Sequence, residues 1–500
     1  MSSSKFNFSG LFIFEMANNH QGSVEHGVTI IKEMAAIARK YNVRAGVKFQ
    51  YRHLDTFIHP DFRHDTKAKH ISRFLSTEMT AEQFKIMVDA CREEGLITIC
   101  TPFDERSVDQ IIEHKIEVIK VASCSADDWP LLSKISKAGK PIIASTGGLM
   151  MNQIDSLVSF FEHKNNDFAV LHCVGIYPSP NEVLNLNFIK KLKSRYKNIT
   201  IGYSGHENPD NTDVVQLATA LGAEIFERHV GVPTDTITLN DYSMNPEQVD
   251  KWIAAYQTAQ TILGNNMKAV TSTEADSLLS LKRGVFVNRK IKKGESILPQ
   301  DIFFAMPCQP NQLTSADFGK LRARFVASKD YVPNEGVFEK SQEDNYHKIR
   351  KYIHQAKGML AEADVILNDK AEIELSFHYG VDRFEQFGCV LVNLVNREYC
   401  KKIIVMFAGQ HHPEQKHLKK EETFHILSGE LTVTLNGITN IIKKGDILTV
   451  ERGDLHAFYS EDGVIFEEIS TTHYRNDSFY TDTLIMDQDP LQRKMIVEEF

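Results

Sequence analysis

The chain lacks any apolar run near the ~18–20 residues that a membrane-spanning helix requires, so an integral helical membrane protein is excluded. Its start, MSSSKFNFSGLFIFEMANNH, has a short apolar run and no small-residue cleavage site, which points to a cytoplasmic protein without a secretory leader. Cysteine is sparse. The seven, at positions 91, 100, 124, 173, 308, 389 and 400, form no C-x-x-C pair, which excludes a compact disulfide framework and a thiolate-held structural metal. Positive charge is also in deficit: 57 Lys and Arg face 66 Asp and Glu for a formal net charge of -9, with no long basic run. Nucleic acid and an anionic membrane are therefore excluded as the main partner, and an anionic small substrate would need locally placed cations.

What is present is rhythm. At 500 residues the chain exceeds the ~250–300 at which one hydrophobic core stops growing, so several domains are expected. Through the first half, short β-rich runs alternate with longer amphipathic stretches: LFIFEMANN, RAGVKFQY, LITICTPF, EVIKVAS, PIIASTGG, FAVLHCVG, ITIGYSGH and AEIFERHV. Between them TAEQFKIMVDACREEG reads as a helix capped by Thr80 and stopped by Gly95. Eight strands with helix-sized connections, closing by about residue 265, predict a (β/α)8 TIM barrel over residues 1–265 rather than a doubly wound open sheet. A helical connector is expected over 266–282, a small β-rich domain over 283–341, a polar and partly helical linker over 342–371, and an all-β domain over 372–500 with tight turns at Asn436-Gly437 and Lys444-Gly445.

Active sites of such barrels lie at the C-terminal ends of the strands, and here those ends are chemically loaded. In order they carry Glu15, Asn18, Asn19 and His20; Lys48 and Gln50; Thr101 and Asp104; Lys120 and Ser123; Ser145 and Thr146; His172 and Tyr177; Ser204 and His206; Glu227 and His229. His206 and His229 end adjacent strands and can converge on one divalent metal, Mn²⁺, Fe²⁺ or Zn²⁺; taken singly, each also fits a hydrogen-bonded core histidine. Lys48 and Lys120 follow apolar residues inside strands, where an ammonium needs an anion, either a substrate phosphate or a barrel carboxylate. Ser123, Ser145, Thr146 and the Gly147-Gly148 turn offer hydroxyls and backbone N–H groups suited to a phosphate. Glu227 alternates onto the side of His229 and is expected to support the metal pair, with Arg228 turned toward the helices.

The stretches EMANNHQGS, GVKFQ, TPFDERSVD, KVASCSADDWPLL, PIIASTGGL, LHCVGIYPSP, IGYSGH, FERHV and YSMNPEQV resemble, in order, those of the sialic acid synthases, a family that includes the legionaminic and pseudaminic acid synthases. The resemblance covers about residues 10–260 and continues into a small domain similar to the antifreeze-like SAF module of that family. It implies condensation of phosphoenolpyruvate with an aldose, N-acetylmannosamine or a relative, to a 2-keto-3-deoxy sugar acid and phosphate. It further implies that His206 and His229 bind a divalent metal, typically Mn²⁺, that Lys48, Lys120, Thr101, Ser123 and Ser145 grip phosphoenolpyruvate, and that Glu15 and Gln50 face the sugar. Tyr177, Ser204 and Asn240 are further substrate-binding candidates, and a homodimer with the SAF module swapped over the partner barrel is implied. Departures fall at the sugar end. Gly205 stands within Ser-Gly-His, Asn240 or Asp241 stands in for the usual Pro-Asp-His element, Gly175 replaces a loop asparagine, and Met306 replaces the module's arginine. An acceptor other than plain N-acetylmannosamine is expected; a sugar-binding regulatory protein and a metal-dependent aldolase are the competing readings.

In the last domain, Gly409-x5-Gln415-x-His417-x4-Glu422-x6-Gly429 follows the first cupin motif with Gln for its first His. Gly445-x5-Glu451-x-Gly453-x2-His456-x3-Ser460 follows the second, with Glu for Pro and Ser for the final Asn. Gln415, His417, Glu422 and His456 would hold a second divalent metal, unless the cupin is a metal-free module for dimerisation or sugar binding. His411 and His412 are expected on a solvated loop.

Overall fold

The computed structural model describes residues 5–63, 70–266, 268–318, 324–340, 345–367, 371–474, 476–489 and 493–497. It divides into two compact units, residues 1–268 and 269–500. In the first, the eight expected strands close into a parallel barrel in sequence order: β1 (Leu11–Glu15), β2 (Arg44–Tyr51), β3 (Ile97–Pro102), β4 (Val118–Val121), β5 (Ile142–Ser145), β6 (Phe168–Cys173), β7 (Thr200–Gly205) and β8 (Ile225–His229).

Two hydrophobic layers explain the closure. Leu11, Ile13, Ile99, Val118, Ile143, Ala169, Leu171 and Ile225 fill the barrel interior, while alternate residues such as Phe12, Val47, Ile119 and Phe226 pack outward against the helices. Gly46 and Gly202 occur where a Cβ would meet the carbonyls of Ile97 and Ile225 at 2.6 and 2.5 Å, so no larger residue fits there without a shift. The helix Ala81–Glu93 is capped as its sequence indicates: Thr80 accepts from the Gln83 N–H, Gln83 reaches back to Thr80, and Gly95 takes φ +76°.

The second unit begins with the helix Ser272–Leu281. A small β body follows, pairing Gly284–Val287 with Ile302–Ala305 and Ser296–Ile297 with Phe325–Val326 around Val285, Ile291, Phe325 and Val337. The segment expected as a linker carries the helix Asn345–Glu362; its residues 342–344 and 368–370 lie outside the described residues. That helix is a structural part of the β unit, burying Tyr352, Ile353 and Leu360 against Ile373, Val390 and Ile403. The β unit itself curls strands from Glu372–Phe377 to Lys494–Val497 into one antiparallel sheet. Asn436 and Gly437 take φ 49° and 80°, the paired positive angles of the tight hairpin turn their sequence predicts. Among the described residues no helix is long and apolar enough to cross a membrane.

Candidate functional site

The barrel opens at the C-terminal ends of its strands into a cavity of about 1590 Å³. Twelve of the residues named for the barrel from sequence line it: Glu15, Lys48, Gln50, Thr101, Lys120, Ser123, Ser145, Tyr177, Ser204, His206, His229 and Asn240. Strand register does the gathering. Glu15 at the end of β1 is level with Lys48 on β2 and with His229 on β8, so the closed barrel places all three at one height.

The floor is a buried charge network. Lys48 pairs with Glu15 and lies 3.0 Å from Glu227 Oε1, while Lys120 lies 3.8 Å from the same carboxylate oxygen. Lys120 also donates to Ser145 Oγ at 2.6 Å, and Ser204 Oγ donates to Glu227 at 2.8 Å. Burial disfavours each charge, but the outcomes differ. Lys48 is raised above the ordinary lysine range because Glu15 and Glu227 outweigh its burial. Glu227 is held down to about 2 because Lys120 and Lys48 outweigh its burial. Burial wins at Lys120, pushed down to about 8, and at Glu15, whose carboxyl is raised. The site therefore combines two buried lysines with one carboxyl held above the usual carboxylate range.

His206 and His229 stand beside this floor with ring centroids 5.3 Å apart. Burial pushes His206 down to about 4 and His229 well below the usual range, so both are neutral. His206 Nδ1 donates to the Val174 carbonyl at 3.1 Å, which leaves Nε2 as its lone-pair nitrogen. The buried His229 Nδ1 and Glu227 Oε2 have no hydrogen-bond partner among the described residues. Two neutral imidazoles side by side are a donor pair that suits a divalent cation. Tyr177 packs against His206 at 4.0 Å between ring centroids.

Some expectations change. Glu227 makes no hydrogen bond to either histidine; it binds the lysines, and the Val174 carbonyl holds His206 instead. Arg228 does turn away from the cavity, where it pairs with Glu207. His20 and Asp104 do not line the cavity: His20 Nδ1 accepts the Gly22 N–H beside Phe84, and Asp104 caps the helix Glu105–Glu113. His172 does line it, but its Nε2 is engaged by the Leu184 carbonyl at 2.7 Å. Of the two candidates in the eighth loop, Asn240 reaches the cavity and Asp241 does not. Sequence reasoning missed Arg52, Arg73 and Lys191, further cations in the lining. Arg52 stacks on Phe103 and Phe74, 3.7 and 4.3 Å from their centroids, and its only pointer in sequence is its place two residues after Gln50.

In the second unit the four cupin candidates also converge. His417 Nε2 and His456 Nε2 lie 3.4 and 3.3 Å from the two Glu422 oxygens, and Gln415 lies 3.4 Å from His456. Both histidines donate from Nδ1 to backbone carbonyls, of Asp477 at 2.6 Å and Asp454 at 3.2 Å. Each Nε2 therefore turns a lone pair toward carboxylate oxygens, an arrangement a cation between them relieves. Gln415 Oε1, His417 Nε2 and Glu422 Oε2 have no hydrogen-bond partner among the described residues, so the set fits a divalent metal. Lys420 was not foreseen; it is buried and pairs with both Glu422 and Glu468. His412 is not solvated, since it is buried in the strand Gln410–Lys416 and stacks on Phe458 at 4.2 Å, while exposed His411 stacks on Tyr459 in the same strand.

Barrel, charged floor and histidine pair together define an enzyme-type (β/α)8 site joined to a cupin. The sequence profile of the NeuB family matches residues 35–268 and that of the cupin domain residues 403–467. The uncharacterized protein MJ1065 of Methanocaldococcus jannaschii is 32% identical over 59% of this chain and 84% of its own. The N-acetylneuraminate-9-phosphate synthase of Drosophila melanogaster is 27% identical over 63% of this chain and 91% of its own. The crystal structure of a spore coat polysaccharide biosynthesis protein E from Chromobacterium violaceum is 45% identical, with a TM-score of 0.63 over 66% of this chain and 98% of that one. The chain belongs to the NeuB family.

Proposed function

We propose that the barrel condenses phosphoenolpyruvate with an aldose, giving a 2-keto-3-deoxy sugar acid of the sialic type and phosphate. The observation that carries this is the buried Lys48–Glu15–Glu227–Lys120 network beside His206 and His229 in one cavity. The synthase named among the relatives supports the same reaction class.

Lys48 and Lys120, with Ser123, Ser145 and Thr101, hold the carboxylate and phosphate of phosphoenolpyruvate; the Thr101 hydroxyl is buried without a partner of its own among the described residues. His206 and His229 would hold a divalent cation, Mn²⁺ by the family resemblance, which would supply Lewis-acid polarisation of the open-chain sugar's aldehyde. Phosphoenolpyruvate C3 bonds to the aldehyde carbon, whose oxygen takes up a proton from Glu15, which is regenerated in the next step. Water adds at C2 and gives its proton to Glu15, the floor carboxyl with the raised pKa. The tetrahedral intermediate then loses phosphate by C–O cleavage. Gln50, Tyr177, Ser204 and Asn240 face the sugar side of the cavity.

Gly175, in the cavity lining, departs from the family pattern, as do Gly205 and Met306 at positions that the resemblance links to the sugar, so the acceptor is a modified or non-acetylated aldose. By the same resemblance two chains pair, the SAF-like module of one covering the barrel of the other. Phosphoenolpyruvate labelled with ¹⁸O at its bridging oxygen, incubated with Mn²⁺ and a panel of aldoses, tests the reaction: the label must leave in the phosphate, and only when an aldose is present. Label retained in an organic product, or phosphate release without aldose, contradicts it. N-acetylmannosamine proving the best acceptor contradicts the assignment of the sugar.

A further inference from the structure

Among the described residues, not every buried cation inside the C-terminal β unit has an ion-pair partner. Alternation along the strands puts Glu374, Lys402, Glu422 and Glu468 on the side of Phe424 and Phe466, opposite the residues packed under the helix Asn345–Glu362. Lys420 pairs with Glu422 and Glu468, and Lys494 pairs with Glu374 at 2.7 Å. Every one of these carboxylates thus has a cation. Arg493 has no carboxylate among the described residues: its side chain is buried, only 7% exposed, and its Nε and Nη1 make no hydrogen bond.

A buried guanidinium without an anion is costly, and its unpartnered Nε–H and Nη1–H, on different sides of the group, are each a charged donor that an anion oxygen would satisfy. The surroundings of Arg493 carry further unmet polar atoms. Its guanidinium centre lies 5.1 Å from the Tyr480 ring centroid, and the Tyr480 hydroxyl lies 3.1 Å from His378 Nε2. Tyr480 is the cross-strand partner of Gln415, which is the partner of His456. One line of side chains therefore runs from Arg493 through Tyr480 and Gln415 to the His417–Glu422–His456 cluster. Along it His378 Nδ1 and Gln415 Oε1 are buried without partners among the described residues, one nitrogen and one amide oxygen that hydroxyl groups would satisfy.

We propose that this end of the β unit is a binding site for a sugar acid, with the carboxylate on Arg493 and hydroxyls on Tyr480, His378 and Gln415. The site is independent of the barrel reaction and stands whether or not the barrel makes such an acid. Hydrogen exchange and calorimetry on the full chain test it with four probes: N-acetylneuraminate, the neutral sugar N-acetylmannosamine, pyruvate and inorganic phosphate. N-acetylneuraminate is expected to protect amides within residues 372–380 and 476–489, the other three much less. R493M is expected to weaken its binding about tenfold or more, the scale of a lost charge-assisted hydrogen-bond pair. R493K keeps the charge without the planar donor set and loses a smaller part, which covers the case that R493M misfolds. Equal affinity in the wild type and in the folded variants overturns the proposal, as does protection by N-acetylmannosamine, pyruvate or phosphate that matches the sugar acid.

Discussion

Lys48 on β2 and Glu227 on β8 meet at 3.0 Å across the intervening strand β1, whose own Glu15 also binds Lys48. Three neighbouring strands thus close one charged knot at the base of the cavity. Two carboxylates share Lys48, and the second lysine, Lys120, reaches Glu227 from the opposite wall.

Breaking that knot is expected to cost both stability and catalysis. K48M leaves two buried carboxylates with one cation, so unfolding free energy should fall by about 3–5 kcal/mol, as for a buried pair that loses one partner. Phosphate release should fall by about 100-fold or more, since a cation aimed at the developing charge is removed. Thermal unfolding and a phosphate assay measure the two; a variant as stable and active as the wild type would show that the knot is dispensable.

Lys120 sets a pH limit. Burial lowers its pKa to about 8, so its ammonium is present below that pH and lost as pH rises through it. kcat/KM for phosphoenolpyruvate is therefore expected to fall on the alkaline side of about 8. K120R stays charged throughout and should lose that limb, even if its overall rate is lower. A flat profile to pH 10 in the wild type would remove Lys120 from the binding of the anion.

The two proposed metal sets, His206 with His229 and the cupin four, would together take two ions per chain. Elemental analysis of purified protein is expected to give about two equivalents of divalent metal, with H206A/H229A and H417A/H456A each losing one. Retention of full metal content in the second double variant would assign the cupin to the metal-free alternative.

The turn at Gly437 offers a check on the β unit alone. Its φ of 80° is open to glycine and strained for other residues, so G437A should lower stability by about 1–2 kcal/mol without altering the barrel reaction. An unchanged unfolding midpoint would contradict the turn geometry.

Much of this is legible in sequence because it obeys short periods. The barrel strands alternate with helices, and the chemistry collects at strand ends, so the pattern of residues alone places Lys48, Lys120, His206 and His229 at the mouth of the barrel. What stays hidden depends on long-range pairing. That Glu227 serves the lysines rather than the histidines follows from how β8 meets β2 and β4 side chains across the barrel. Arg493 lies 71 positions beyond Glu422, and no local pattern announces that it ends up beside Tyr480 with no carboxylate among the described residues. Lys420 is within reach: it stands two residues before Glu422, a spacing that shares one face of a strand.

The most direct test of the central claim is the mass and phosphate balance of one reaction mixture holding phosphoenolpyruvate, Mn²⁺ and a cell extract of sugars. One phosphate is expected for each new sugar acid, with a product mass equal to an aldose plus pyruvic acid. Phosphate release must stop when either the sugars or the metal is withheld. A new carbon–carbon product formed with no phosphate released would identify an aldolase, and no product with any sugar would leave the barrel a binding module.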